Sequence, residues 1–294
     1  MSRLTIEAWA KINLGLQVLG KRPDGYHEIR SVLQSVSLGD TLEMRVGGTG
    51  ITLEVDDPTL PAGPDNLVWR AADRIMASLG SRPGVAIRLY KKIPAGAGLG
   101  GGSSDAAATL VGVDRLLGLG LPQAVLEEHA AALGSDVPYF LTGGTALVTG
   151  RGTEVRPLPD LPFREVLIVQ PEGSLSTGQV YAQIEEPLTL ARKPVSIPGF
   201  ERIPVDIASW VRSGNDLEPH AVRLCPAIGE IRSLVERTGA EVAAMTGSGS
   251  AVFGIFTDAA ARDRAADEAG RSGFRTFRCH TLGRSACLRG RMIP

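Results

Sequence analysis

The feature that most constrains this chain is a glycine-rich segment at residues 94–105, PAGAGLGGGSSD, with five glycines among residues 96–102. It runs directly into AAATL, a sequence of strong helix formers. Glycine allows positive φ and a close approach of backbone to ligand, and a helix start offers unpaired N–H groups at the positive end of its dipole. The segment therefore predicts an anion site, most often for phosphate. The alternative is a mobile loop whose helix is capped by Ser103 or Ser104.

Two common nucleotide motifs do not fit this segment. Gly96, Gly98 and Gly101 have the spacing of the dinucleotide fingerprint, but that motif needs a strand entering the turn and a second strand after the helix. Here Pro94 breaks the entry, and two helices are predicted in series. No Gly-Lys-Ser/Thr closes the loop, which excludes the P-loop, and the protein-kinase signatures are absent. The segment indicates a phosphate cradle of another kind.

Composition excludes several classes of protein. The 294 residues are 43% hydrophobic and 21% charged, as in a soluble globular protein of about two domains. A net charge of −1 gives no basic field for nucleic acid or anionic lipid. The three cysteines show no metal-ligand or disulfide spacing, the N-terminus lacks an apolar signal core, and no apolar run reaches bilayer length. We expect a cytoplasmic protein with neither nucleic acid nor membrane as partner; its oligomeric state is not predicted.

Hydrophobic periodicity predicts a mixed α+β chain in two domains, 1–158 and 159–294, divided near three prolines in residues 157–162. In the first domain, strands are predicted at 4–10, 12–19, 31–38, 41–46, 51–55, 85–90, 144–149 and 154–158, and helices at 66–79, 103–117 and 123–133. In the second, strands are predicted at 164–170, 242–245, 251–257 and within 274–287, and helices at 176–184, 205–212, 216–223, 226–238 and 258–272. Residues 186–204 receive no assignment.

Two ionisable residues stand in apolar surroundings. Lysine is scarce in this chain, and Lys11 lies between two apolar predicted strands, where an unpaired ammonium is costly. An exposed strand position is the alternative for Lys11. Asp136 separates Gly-Ser from an apolar Val-Pro-Tyr-Phe-Leu run. It is either a helix N-cap or a carboxylate that acts as a base in a partly dry site.

An aromatic pair follows a turn near the N-terminus. Pro23, Asp24 and Gly25 have turn composition, and Tyr26 and His27 come directly after them. A ring that stacks and an imidazole that forms hydrogen bonds suit a heterocyclic ligand. A strand-edge tyrosine beside a solvated histidine is the alternative.

Five motifs, in this order along the chain, resemble those of the GHMP kinases. They are AKINL at 10–14, DGYH at 24–27, the glycine-rich segment with its alanines at 94–108, GSDVP at 134–138 and TGSGSA at 246–251. The resemblance spans almost the whole chain. It implies an α+β fold with an N-terminal domain like the second domain of ribosomal protein S5 and a ferredoxin-like C-terminal domain. ATP and substrate would lie in the cleft between them.

Within this family, the expanded glycine triplet and the DGYH turn are similar to a branch that phosphorylates a cytidyl diphosphate-linked polyol. The resemblance implies transfer of the ATP γ-phosphoryl group to the 2-hydroxyl of a methylerythritol, a step of the non-mevalonate route to isoprenoid precursors. Two alternatives remain: a kinase for homoserine, mevalonate or a sugar, and a non-catalytic nucleotide-binding module. The DGYH turn argues against the first, whose substrates have no nucleobase, and Lys11 with Asp136 argues against the second.

The resemblance also implies roles for individual residues. Asp136 would be the base for the acceptor hydroxyl, and Lys11 would stabilise the transferring phosphoryl group. Mg²⁺ would accompany the ATP phosphates, and the hydroxyl of Ser103 or Ser104 would bind it. Of the two, Ser104 is the expected ligand. The predicted ATP-binding residues are Pro94, Ala95, Gly96, Ala97, Gly98, Leu99, Gly100, Gly101, Gly102, Ser103 and Ser104.

The resemblance implies an acceptor site as well. Tyr26 and Tyr181 would sandwich cytosine, His27 would bind its edge, and Asn13 would contact the sugar end. The glycine loop at 247–250 is expected to close on the phosphates. The adenine pocket is expected near residues 56–69, which include Asn66 and Trp69.

Overall fold

The structure is a computed structural model that describes residues 3–77, 79, 83–173, 175–184 and 207–289. Residues 186–204, which received no assignment, and the first two residues of the helix predicted at 205–212 lie outside these ranges. In the described part of the chain, no helix has both the length and the apolar character that a membrane span requires.

The first half of the chain forms a six-stranded sheet covered by helices. The strands are β1 (Arg3–Lys21), β2 (His27–Thr49), β3 (Ile51–Val55), β4 (Pro83–Tyr90), β5 (Thr145–Thr149) and β6 (Glu154–Pro157). Their order is β3-β4-β2-β5-β6, with β1 paired antiparallel to β2. The helices are α1 (Leu67–Ala77), α2 (Gly101–Leu117), α3 (Gln123–Leu133) and α4 (Val137–Thr142). Their apolar faces bury a core against the sheet.

Strands β1 and β2 are longer than the sequence predicts. Four strands were expected, divided at Lys11 and at a turn around Gly39, but the structure has two strands of 19 and 23 residues. Register shifts, the first between Trp9 and Ala10, bend β1 without ending it. Gly39 pairs with Trp9, and a Cβ atom there would lie 2.7 Å from the indole. Gly39 therefore serves close packing, and the predicted turn is wrong.

The second half forms a four-stranded antiparallel sheet of order β10-β7-β9-β8. Its strands are β7 (Glu165–Gln170), β8 (Val242–Met245), β9 (Val252–Phe256) and β10 (Arg275–His280). Its helices are α5 (Thr177–Tyr181), α6 (Ile207–Arg212), α7 (Glu218–Leu224), α8 (Ala227–Arg237) and α9 (Ala259–Arg271).

The C-terminal segment departs from the prediction. The last strand or strands were expected within residues 274–287; β10 ends at His280, and a helix that was not predicted, α10 (Arg284–Arg289), follows. The Leu282 N–H donates to Ser35 O over 2.8 Å, and the buried Cys287 packs against Gly143. The segment thus returns to the first sheet, a contact between distant residues that local periodicity does not encode.

Strand β1 connects the buried cores of the two sheets. Ile6 lies in the core of the first sheet, Ile12 in a core between the sheets, and Val18 in the core beneath the second sheet. Lys11 therefore lies at the middle of a strand that belongs to both halves.

Candidate functional site

The glycine-rich segment forms the start of α2. Gly100 adopts the left-handed region at φ 72°, and the helix begins at Gly101. Ser103 and Ser104 therefore lie inside the first turn and do not cap it, so the serine cap of the alternative interpretation is absent. The N–H groups of residues 101–103 have no helical acceptor, whereas the Ser104 N–H donates to Gly100 O over 2.9 Å. Residues 94–103 line a cavity. The arrangement supplies the anion-binding geometry that the glycines predict.

A second glycine loop, residues 246–250, packs directly against the first. A Cβ atom on Gly98 would lie 2.1 Å from Thr246 O, and one on Gly247 would lie 3.0 Å from Gly98 O. Both glycines have positive φ, so each position favours glycine for its conformation and its close contact. Thr246 Oγ1 lies 3.2 Å from both Gly98 O and Asn13 Oδ1. The two loops thus form one continuous wall of the cavity.

Lys11 is buried beneath this wall. Its Nζ donates to Asn13 Oδ1 over 2.6 Å and to Gly98 O over 2.7 Å. Asp136 Oδ2 lies 3.7 Å from the same Nζ. Burial lowers the pKa of Lys11, and the Asp136 carboxylate opposes this without overcoming it. An ammonium with little solvent and one nearby carboxylate is a strong local electrostatic group.

Asp136 precedes α4, a six-residue helix that the sequence analysis did not assign. Its side chain makes no capping hydrogen bond and is 37% exposed. The carboxylate lines the cavity beside Lys11. Asp136 thus occupies the N-cap position of α4, but its side chain does not cap the helix.

The two adjacent serines face different surroundings. Ser103 lines the cavity, and a Cβ atom on Gly134, in the turn before Asp136, would lie 4.0 Å from Ser103 Oγ. Ser104 is 3% exposed, is not among the lining residues, and its hydroxyl donates to Trp9 O over 2.7 Å. The geometry therefore favours Ser103 over the expected Ser104 as a hydroxyl available to a bound cation.

An aromatic group, formed by Tyr26, His27 and Tyr181, also lines the cavity. The His27 and Tyr181 rings are 4.9 Å apart at 30°, and burial, with Asp136 nearby, raises the pKa of Tyr181 to about 12. Tyr26 is 51% exposed, and the Arg151 guanidinium carbon lies 5.2 Å from its ring centre. Arg151 is not among the predicted site residues; its place between Gly150 and Gly152 in a hairpin turn is the signal that could have indicated it.

A single cavity of about 1010 Å³ joins these parts. It is lined by every predicted catalytic and acceptor-site residue and by most of the predicted ATP-binding residues: Lys11, Asn13, Tyr26, His27, Asp136, Tyr181 and residues 94–103. Asn66, from the expected adenine region, also lines it, whereas Trp69 does not. Its volume is at the upper end for a single small-ligand pocket, which leaves room for two substrates.

A buried charge cluster, which the sequence did not predict, lies beside the glycine-rich segment. Lys91 Nζ contacts Asp40 Oδ2 and lies 2.7 Å from Asp105 Oδ2. Burial and the negative charge of Asp40 raise the pKa of Asp105 to about 8, against the pull of Lys91. Burial also acts against the charge of Lys91, but Asp105 and Asp40 together raise the pKa of Lys91. A Cβ atom on Gly101 would lie 3.3 Å from Lys91 Nζ, so the cluster supports the start of α2.

Comparison with known families defines the class of protein. The model of the GHMP kinases N terminal domain matches residues 66–144, and that of the GHMP kinases C terminal domain matches residues 205–275. The chain belongs to the GHMP kinase family. The resemblance inferred from five motifs and the predicted GHMP kinase fold are confirmed.

Individual relatives narrow this family to one branch. A 4-diphosphocytidyl-2-C-methyl-D-erythritol kinase of Moorella thermoacetica is 45% identical over 88% of this chain and 92% of that protein. The protein of the same name from Geobacter sulfurreducens is 41% identical over 91% of this chain and 95% of its own length. A crystal structure of 4-(cytidine 5'-diphospho)-2C-methyl-D-erythritol kinase is 34% identical, with a TM-score of 0.78 over 95% of this chain and 100% of that chain.

Proposed function

We propose that this chain is an ATP-dependent kinase that phosphorylates the 2-hydroxyl of 4-diphosphocytidyl-2-C-methyl-D-erythritol, in the non-mevalonate route to isoprenoid precursors. The observation that carries the proposal is the position of the Lys11–Asp136 pair in the cavity. Lys11 contacts Gly98 of the phosphate-binding wall, and Asp136 is near enough to Tyr181 of the aromatic group to raise its pKa. The pair therefore lies where a donor phosphate and a cytidyl-linked alcohol would meet. The relatives that share this name support the same assignment.

The chemistry assigns separate tasks to the two residues. Asp136 takes the proton of the acceptor hydroxyl while the hydroxyl oxygen forms a bond to the γ-phosphorus of ATP. The bond between that phosphorus and the bridging oxygen breaks, and ADP leaves with the electron pair. Lys11 stabilises the negative charge of the transferring group, and its burial strengthens that interaction. The N–H groups at the start of α2 hold the phosphates without a P-loop lysine.

The residues present fit Mg²⁺ bound chiefly through ATP. Among the described residues, no cluster of three or more His, Cys, Asp or Glu could hold a metal by itself, as expected for an ion that keeps waters and phosphate oxygens as ligands. Ser103, whose hydroxyl lines the cavity, could complete its coordination. When bound, Mg²⁺ would neutralise charge on the phosphates.

The aromatic group would hold the cytidyl part of the acceptor. Tyr181 already lies against His27, and Tyr26 is half exposed, with Arg151 over its ring. A cytosine can stack on tyrosine faces, and the imidazole can form a hydrogen bond to its edge. Asn13, fixed by Lys11 and Ser31, would contact the polyol end.

An ADP-release assay across alcohols tests this function. The expected acceptor is 4-diphosphocytidyl-2-C-methyl-D-erythritol, with no turnover of homoserine, mevalonate or simple sugars, because none of these has a base to stack. Preferred turnover of another alcohol would contradict the acceptor assignment, and ATP binding without transfer to any alcohol would indicate a non-catalytic module.

Asp136→Asn tests the base. We expect kcat to fall by about 10²- to 10⁴-fold while ATP affinity is retained, as measured by steady-state kinetics and calorimetry. Asp267→Asn is the matched control, because Asp267 is 61% exposed and bonds to Arg278 on the surface. A fully active Asp136→Asn variant would refute the role of Asp136.

A further inference from the structure

The short helix α5 presents two residues to the cavity one turn apart. Thr177 and Tyr181 are separated by four positions, so they share one face of the helix, and both line the cavity. Val180, on another face, is fully buried in the core beneath the second sheet. The helix is therefore anchored from behind while its two ends reach different parts of the site.

The Tyr181 end of α5 belongs to the acceptor region, and the Thr177 end contacts the second glycine loop. Thr177 Oγ1 and Ser248 Oγ are 2.9 Å apart. Ser248 is 7% exposed and lines the cavity. Its neighbour Gly247 packs on Gly98 and Lys11, so this hydroxyl pair connects α5 to the wall that would hold the phosphates.

We infer that the Thr177–Ser248 hydroxyl pair is a positioning contact that couples acceptor binding at Tyr181 to the placement of loop 246–250 on the nucleotide. The inference rests on the proposed function, since it needs both substrates in the cavity. It assigns Thr177 and Ser248 a role in the communication between the two substrates and not in the chemistry itself.

The physical basis is the marginal stability of α5. A five-residue helix is far below the length at which helices are stable alone, and its N-cap residue Ser176 makes no side-chain capping bond. Stacking of the acceptor on Tyr181 would restrict the motion of the helix about its buried Val180, and the Thr177 hydroxyl would then hold Ser248 in place. A nucleotide that binds afterwards meets a loop already ordered, which lowers the entropy cost of its binding.

The test is the ratio of affinities for a non-hydrolysable imido analogue of ATP with and without saturating 4-diphosphocytidyl-2-C-methyl-D-erythritol, measured by calorimetry on the full chain. We expect the acceptor to tighten analogue binding by about fivefold or more in the native protein. Thr177→Val removes the hydroxyl at nearly constant shape and should reduce this ratio to about one. Thr177→Ser keeps a hydroxyl and should preserve the ratio.

Ser248→Ala provides an independent variant from the other side of the contact. It should lose the same coupling as Thr177→Val, and the double variant should lose no more, because both changes remove one interaction. Melting temperatures of all variants establish that each is folded.

The outcomes separate this inference from the proposed function. A ratio in Thr177→Val equal to that of the native protein would overturn the coupling, as would native turnover without any synergy between substrates. If the native protein neither binds nor phosphorylates the cytidyl acceptor, both the proposed function and the coupling fail.

Discussion

Two buried lysines line the same cavity, and their surroundings differ in the number of carboxylates. Lys11 has one nearby carboxylate, that of Asp136, which lies 3.7 Å from its Nζ and is partly in contact with water. Lys91 contacts two buried ones, Asp40 and Asp105. Burial lowers the pKa of Lys11, whereas the two carboxylates raise the pKa of Lys91.

The difference shows that burial alone does not define a catalytic lysine. The charge of Lys91 is balanced by Asp40 and Asp105, so it holds the strands and the helix together. The charge of Lys11 is only partly neutralised and stays available to a ligand, which contributes more to binding than to stability. Three substitutions test this difference between the two lysines.

Lys91→Met should have the largest effect. It leaves Asp40 and Asp105 together without a cation, and loss of one member of a buried charge cluster costs about 3–5 kcal/mol of unfolding free energy. Urea denaturation measures this, with the exposed Lys92→Met as control. The loss of unfolding free energy should be smaller at lower pH, where a proton on the carboxylates offsets the missing ammonium. An unchanged midpoint would show that the cluster does not stabilise the fold.

Lys11→Met should act on catalysis. We expect kcat to fall by about 10²- to 10³-fold, or about 2.7–4 kcal/mol of transition-state stabilisation. The unfolding free energy should change by less than about 1–2 kcal/mol, since Asp136 keeps its contact with water and Thr246 Oγ1 lies within 3.2 Å of both acceptors used by Lys11. A destabilised but fully active variant would reverse the comparison.

Asp105→Asn should give the smallest effect, visible in the pH dependence of stability. The pKa of Asp105 is about 8 when folded, against a usual 3.8, so the folded state binds the extra proton between these values. Stability from this group is therefore present below pH 4 and declines as pH rises towards 8. The asparagine variant removes this slope, so it should gain about 1–2 kcal/mol on the native protein between pH 6 and 8. Parallel pH profiles would contradict this.

Local sequence patterns predicted several features of the fold and of the candidate site. The glycines of residues 94–105 predict an anion-binding helix start because their conformation and spacing are local properties. The apolar periodicity of α1, α3, α8 and α9 predicts helices close to those observed. Their boundaries depend on neighbouring residues, so a local reading suffices.

The remainder depends on contacts between distant residues. Asp40, Lys91 and Asp105 are unremarkable in sequence, and only the pairing of β2 with β4 and the position of α2 bring them together. Arg151 reaches Tyr26 from a different hairpin. Helix α10 forms where the chain returns to Ser35 and Gly143. Periodicity contains no information on such pairs.

The continuity of β1 has a mechanical consequence. A strand that is buried in the core of each half, with Lys11 at its centre, transmits rigid-body motion from one half to the other. Such a scaffold leaves the two halves little freedom to move towards or away from each other. Entry of substrates and release of ADP are then left to short segments at the rim of the cleft, so turnover should respond more to changes in loop stiffness than to changes between the two halves.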